Sequence, residues 1–346
     1  LIGHGVASQG SIQASGGKVV LAGGSGVALS LDADGRLSDY SIATADQWVT
    51  VGGTIDVSSA AGNGGMIETA GYVSLDPHLV VAATGATGFS DGLWQMKAPG
   101  DFNIASGANI SGADLTRLLG SLDVNVRSAT GNVNVKDAIS WSANTLSLIS
   151  PNDINVSNVM TATDSASLFA SYGITSYVRH LSGGLLGVTQ PVRDYTLHGI
   201  NMAYATNSAG KPTNAFKGKI DFQSSGSLVM GSTGNEAAYT VLNSVDDLLA
   251  INDSTANFAN GQRYALGRDL DLGGIANWTP LGLIGGSTVS FDGVFNGLGH
   301  TVSNLTSSNN GLFAHVGRAQ FDEGGASASD PTVAFGVVPE FAGVSN

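Results

Sequence analysis

"GNVNVKDAISWSANTLSLISPNDINVSN", residues 131–158, carries its own phrase twice: "GNVNV" at 131–135 returns as "NDINV" at 152–156, an offset of 21. In each copy a small or polar pair is followed by apolar, polar and apolar residues, the alternation of a half-buried strand bounded by turn formers. "GGTIDV" (52–57), "GDFNI" (100–104) and "GKIDF" (218–222) share the pattern. "LSLISPNDI" (146–154) falls on "ASLFASYGI" (166–174) at an offset of 20, setting Leu148 over Leu168 and Ile154 over Ile174. A period near 20 with several short strands per unit predicts a solenoid, because a unit of that length cannot bury its own apolar face while stacked units can. With roughly 20 to 25 residues per coil and about 4.8 Å per layer, the chain would make roughly 14 to 17 coils and a rod of about 70 Å.

Composition agrees with strands and turns. The 346 residues include 49 glycines and no cysteine, and only 12% are charged. Without cysteine there are neither disulfides nor thiolate metal sites, so stability must come from repetitive packing and backbone hydrogen bonds. The net charge of −13, from 27 acids against 14 bases with no Lys/Arg cluster, excludes nucleic acid as a partner. No run of about 18 apolar residues occurs, so no transmembrane segment is expected. The text opens mid-pattern at "LIGHGVASQG" without a signal peptide and is expected to belong to something longer. An acidic chain without cysteine suits a secreted protein, extracellular or on a bacterial outer surface.

Helix signals are few. "GADLTRLLGSL" (112–122) offers Asp114 as a cap before Leu115, Leu118 and Leu119, but it is brief and meets Gly120. "NSVDDLLAIND" (243–253) predicts one short helix, with Asn243 or Ser244 as N-cap and Asp246 and Asp247 in the first turn.

Four phrases in order, "GGKVVLAGGSGVALSLDADGRLSDYSIA" (16–43), "GGTIDVSSAAGNGGMIETAGYVSLD" (52–76), "GDFNIASGANISGADLTRLLGSLDVNVRS" (100–128) and "AISWSANTLSLISPNDINVSN" (138–158), resemble filamentous-haemagglutinin-type exoproteins of bacterial two-partner secretion. Further on, "LGRDLDL", "NWTPLG", "FDGVFNGLGHTVSNL" and "GLFAHVG", all within 239–317, resemble the GLUG-type repeat of bacterial surface proteins. The resemblance implies an all-β, right-handed parallel β-helix with few short helical excursions, in a secreted adhesin with no cofactor. It implies as partners a host or matrix glycan or surface protein, and an outer-membrane transporter engaged through a secretion domain that this chain does not contain. The corresponding division is 1–171 for haemagglutinin-type coils, 172–217 for an irregular insertion, 218–238 for a further coil, 239–317 for the GLUG-type module and 318–346 for a tail or linker.

Within that division, 172–217 is the least repetitive stretch. It gathers Tyr172, Tyr177, Tyr195 and Tyr204 with Arg179 and Arg193, aromatics and bases in an otherwise acidic chain, and is the candidate ligand-binding loop. His300, in "GLGHT", has Asp292, Asp269 and Asp271 as candidate partners for acid–base chemistry. The plainer reading is a turn residue, with Gly297 and Gly299 taking positive φ at a corner. Asp32, Asp34 and Asp39 imitate half a calcium loop, but the acid needed at its twelfth position is Ala43. Neither an H-E-x-x-H pair, a G-x-S-x-G elbow nor a phosphate-loop spacing occurs. The leading expectation is a non-catalytic structural and adhesive segment. The alternatives are a β-helical polysaccharide lyase or hydrolase, for which Asp269, Asp271, Asp292 and His300 would have to share one cleft, and a passenger stalk presenting a toxin or protease.

Overall fold

The computed structural model describes residues 1–31, 37–173, 176–183, 189–196, 198–307 and 311–317, with the strand pairs at 25–44 and 176–196 described by backbone pairing alone. The expected tail 318–346 lies outside the described residues, as do Asp32 and Asp34. The protein is all-β, with parallel and antiparallel pairing both present and, among the described residues, two short α-helices and two 3-10 turns.

Its main sheet runs in the order Ile2–Gly3, Lys18–Gly23, Met66–Ala70, Leu93–Ala98, Asp123–Ser128, Thr145–Ile149, Ser167–Tyr172, Leu228–Ser232 and Ala237–Ala238. Every pairing is parallel except the last, where Ala237–Ala238 folds back antiparallel. Between visits to this sheet the chain adds a strand to a second ladder, Phe102–Ile104, Val133–Val135, Ile154–Val156 and Ile200–Met202. It then adds one to a third, Ile139–Trp141, Val159–Ala162 and Lys219–Phe222.

The repeat is less regular than the sequence implies. Val133 pairs with Ile154 at the expected offset of 21, but Leu146 pairs with Leu168 and Leu148 with Ala170, an offset of 22 where 20 was expected. A slip of two residues keeps every side chain on its face, so alternation alone cannot distinguish the registers. Phe102 to Val133 is 31 residues, because helix α1 (Gly112–Leu119) occupies that layer. Its N-cap is Ser111, whose Oγ accepts from the Asp114 N–H and donates to the Asp114 carboxylate; Asp114 itself sits in the first turn. Helix α2 (Val245–Ala250) starts at Ser244, which accepts from the Asp247 N–H.

Longer repeats mean fewer layers. Eight mutually parallel strands at about 4.8 Å span roughly 34 Å, well short of a 70 Å rod.

The core follows from register. Val19, Ile67, Trp94, Val124, Leu146, Leu168 and Leu228 are successive partners across the main sheet, none more than 6% exposed. Burying one such leucine or isoleucine is worth roughly 1.5–3 kcal/mol. On the solvent side of the second ladder, Asn134 donates to Asn103 at 3.2 Å, Asn155 to Asn134 at 2.8 Å and Asn201 to Asn155 at 3.1 Å. One type of side chain thereby satisfies its neighbours in successive layers.

Excursions leave this register and return to it. Ile149 and Ile154 pair with Ser171 and Ile200, and removing residues 174–197 would leave the same five-residue step between those partners. Val156 and Val159 pair with Met202 and Lys219, and removing 204–217 would likewise restore their three-residue step. Both excursions contain antiparallel hairpins, Ser176–Gly183 with Thr189–Thr196 and Tyr204–Thr206 with Pro212–Phe216.

A second apolar core, Leu242 to Leu312, packs Leu248, Phe258, Trp278, Leu281 and Phe291 among others. Thr240–Leu242, Arg263–Leu266 and Val294–Asn296 form a parallel sheet across it. Phe291, Phe295, Val302 and Leu305 face inward, while Val294 is only partly buried. Left-handed backbone falls on Leu298 (φ 48) and Gly299 (φ 85), not on Gly297. Leu298 is fully buried in the first core, so packing holds a non-glycine residue in that conformation.

Candidate functional site

A group of titratable side chains, Lys219, Asp221, Asp269 and His300, lies where the two cores meet. The Leu298 carbonyl accepts from the Ile220 N–H at 3.0 Å, fixing the "GLGHT" turn against the strand Lys219–Phe222. The turn closes when the His300 N–H donates to the Gly297 carbonyl at 2.8 Å, and it drives the His300 ring inward until its side chain is 1% exposed. Nε2 lies 3.0 Å from the Ile220 carbonyl oxygen, which can only accept, so the ring carries a proton on Nε2.

Two carboxylates flank the ring. Asp221 Oδ1 is 3.5 Å from Nε2, and Asp269 Oδ1 is 3.4 Å from Nδ1, a buried nitrogen that makes no hydrogen bond. Asp269 also accepts from the Thr301 N–H at 2.8 Å and, on its other oxygen, from Lys219 Nζ at 2.8 Å. Burial pushes its carboxyl up, but the hydrogen bonds from Lys219 and Thr301, with the charges of Lys219 and His300, outweigh this and hold it below the ordinary range.

This arrangement suits holding better than turnover. A general base needs a face that a substrate can reach, and this ring has almost none. The other two acids are engaged locally: Asp271 accepts from Asn304 at 2.7 Å and from the Gly273 N–H, and Asp292 from Ser290 at 3.0 Å. The Asn304 bond, then the Gly273 N–H, keep Asp271 below the usual carboxylate range. Because Asp221 and Asp269 approach different ring nitrogens, their oxygens do not converge on one point, and among the described residues no group of three or more His, Cys, Asp or Glu is placed to hold a metal ion. Asp39 falls in a strand described by backbone alone.

The candidate binding residues are distributed. Tyr177 opposes Tyr195 and Arg179 opposes Arg193 across one antiparallel hairpin. Tyr172 ends a strand of the main sheet and packs on the first core. Tyr204 belongs to the other hairpin, where its ring stacks on Phe216 with centroids 4.7 Å apart. Tyr177, Arg179, Arg193 and Tyr195 are thus brought together by pairing, while Tyr172 and Tyr204 each serve a separate element.

Two further aromatics are exposed on neighbouring strands. Trp48 and Tyr72 are Cα partners on neighbouring parallel strands, 53% and 56% exposed. The signal for them is parity: in "WVTV" and "YVSL" the valines point inward, so the aromatic residues point out. Among the described residues no helix is long and apolar enough to cross a membrane, which says nothing about spanning by strands. Comparison with known proteins returns no matching family model, no matching curated protein and no matching solved structure.

Proposed function

We propose that this chain is a structural and adhesive segment of a large secreted bacterial surface exoprotein of the filamentous-haemagglutinin type. On this reading it folds as a right-handed parallel β-helix, with a GLUG-type module over 239–317 docked on its end. It makes attachment or matrix contacts and carries out no reaction. The observation that supports it most is the seven-residue apolar ladder from Val19 to Leu228, built by parallel partners in successive layers. Such stacking gives a long outer surface for few core residues, on which weak contacts add by avidity. Hairpin excursions that leave the ladders and rejoin them in register are, on this reading, the natural places for recognition.

The test is a binding screen of the bead-immobilised chain against glycans, matrix proteins and epithelial surfaces. The adhesive reading expects multivalent beads to be retained where the free chain binds weakly. Beads that bind no surface above a bare-bead control would overturn it.

A further inference from the structure

Three of the four tryptophans are core residues. Trp94, Trp141 and Trp278 are 0%, 4% and 0% exposed, and each indole N–H donates to a protein oxygen, of Thr69, Ser167 and Leu312 respectively. Trp48 breaks that pattern. Val49 and Val51 are fully buried and Val73 nearly so, and the pleat therefore sends Trp48 and Thr50, with Tyr72 and Ser74 beside them, to the outer face. Two large aromatics occupy consecutive steps of that face, on strands about 4.8 Å apart. A lone exposed aromatic needs no explanation, but a matched pair at one register position does.

The indole is also positioned. A side chain at Gly5, on the strand side opposite Tyr72, would collide with Trp48 Cε2, Cζ2 and Nε1, so the indole lies along bare backbone. Polar residues accompany it in sequence: Gln47 Nε2 donates to Asp46 Oδ1 at 3.1 Å immediately before Trp48, and Thr50 and Ser74 follow on the outer face of their strands. The strands Val6–Ser8, Trp48–Val51 and Tyr72–Leu75 carry no lysine or arginine, and Asp46 is the charge adjacent to Trp48.

A pyranose ring presents a face of C–H groups and a rim of hydroxyls. It needs a flat apolar surface with planar amides, carboxylates or hydroxyls at the edge, which is the chemistry found around Trp48. Anionic chains meet no lysine or arginine on these three strands, which leaves a phosphodiester or sulfated polymer without the counterion release that drives its binding. We propose that Trp48 and Tyr72 form a stacking platform for a neutral pyranose polysaccharide, with Asp46, Gln47, Thr50 and Ser74 engaging its hydroxyls. The platform is separate from the 172–217 excursion, so its test can fail while the adhesive reading stands.

Native electrophoresis through gels containing laminarin, hydroxyethyl cellulose or galactomannan tests it, with dextran sulfate and single-stranded DNA as anionic arms. The chain is expected to be retarded by at least one neutral polymer. Trp48→Ala and Tyr72→Ala should each weaken that interaction at least tenfold, with an unchanged circular dichroism spectrum and melting temperature, since both side chains are exposed. Gly5→Ala, which keeps Trp48 but displaces its indole, should weaken it as well. Retardation by the anionic polymers alone, none by any neutral polymer, or equal retardation of Trp48→Ala would overturn the proposal. So would sedimentation showing that Trp48→Ala abolishes only self-association.

Discussion

The Nε2 atom of His300 lies 3.0 Å from the carbonyl oxygen of Ile220, 80 residues earlier in the chain, and this contact crosses the junction of the two cores. Ile220 belongs to the first core, while Val302 and Leu305, just after His300, belong to the second. His300→Ala should open a cavity and strand a buried carbonyl, costing about 2–4 kcal/mol. Urea unfolding would read the loss, and native-state amide exchange should show 240–305 opening before 124–172. Uniform protection along the chain would mean that the two cores are not joined at this point.

Asp269 gives the junction a pH dependence of defined sign. Its folded carboxyl titrates below the ordinary value of 3.8, so its contribution is fully present above that value and is lost as pH falls through the depressed folded one. Asp269→Asn should therefore lower the urea midpoint at pH 7, and its difference from the unaltered chain should close on acidification toward pH 3. The side chain is 52% exposed, so solvent and salt screen its pairing with Lys219, and 0.5 M salt should shrink the effect at pH 7. A difference that widened in acid would rule this out.

The asparagine ladder makes a prediction about position. Asn155 both donates to Asn134 and accepts from Asn201, whereas Asn103 accepts from Asn134 at the end of the row. Asn155→Ala removes two bonds and Asn103→Ala one, at about 0.5–1.5 kcal/mol per bond. Thermal melts should rank Asn155→Ala as the more damaging, and a double-mutant cycle between Asn134 and Asn155 should show coupling while Asn103 with Asn201 shows little. Equal effects at all four positions would indicate that the amides bond to water rather than to each other.

Strand character was legible because it depends on neighbours two residues apart, as in Val133–Asn134–Val135. Register was not, since sliding Leu148 from Leu168 to Ala170 leaves parity unchanged and only the packed layers choose between them. Proximity in sequence misled at α1, where Asp114 is near the helix start but Ser111 has the extended backbone an N-cap requires. His300 was visible as a turn residue, while its burial was not, because the contact that buries it comes from a strand 80 residues away. Trp48 carries its signal in the parity of "WVTV", where two inward valines set the indole on the outer face.

The same reasoning makes the 172–217 excursion separable in two parts. Gly173 donates to the Asn152 carbonyl at 2.7 Å and Gly199 to Asp153 Oδ1 at 2.9 Å, so both ends of the first part are pinned to the layer beneath. Because the step from Ser171 to Ile200 without 174–197 equals that from Ile149 to Ile154, deletion of 174–197 asks no strand to shift. Shortening a loop changes closure entropy only slightly, about 0.6 kcal/mol per halving, so the deleted chain should melt cooperatively within a few degrees of the original. Tyr177, Arg179, Arg193 and Tyr195 leave together in this variant while Tyr172 and Tyr204 remain, which divides the candidate binding residues cleanly. Loss of retention on glycan or matrix surfaces with the melt preserved would assign recognition to the hairpin. Undiminished retention would remove those four residues from consideration, and a collapsed melt would show that the excursion supports the ladders rather than interrupting them.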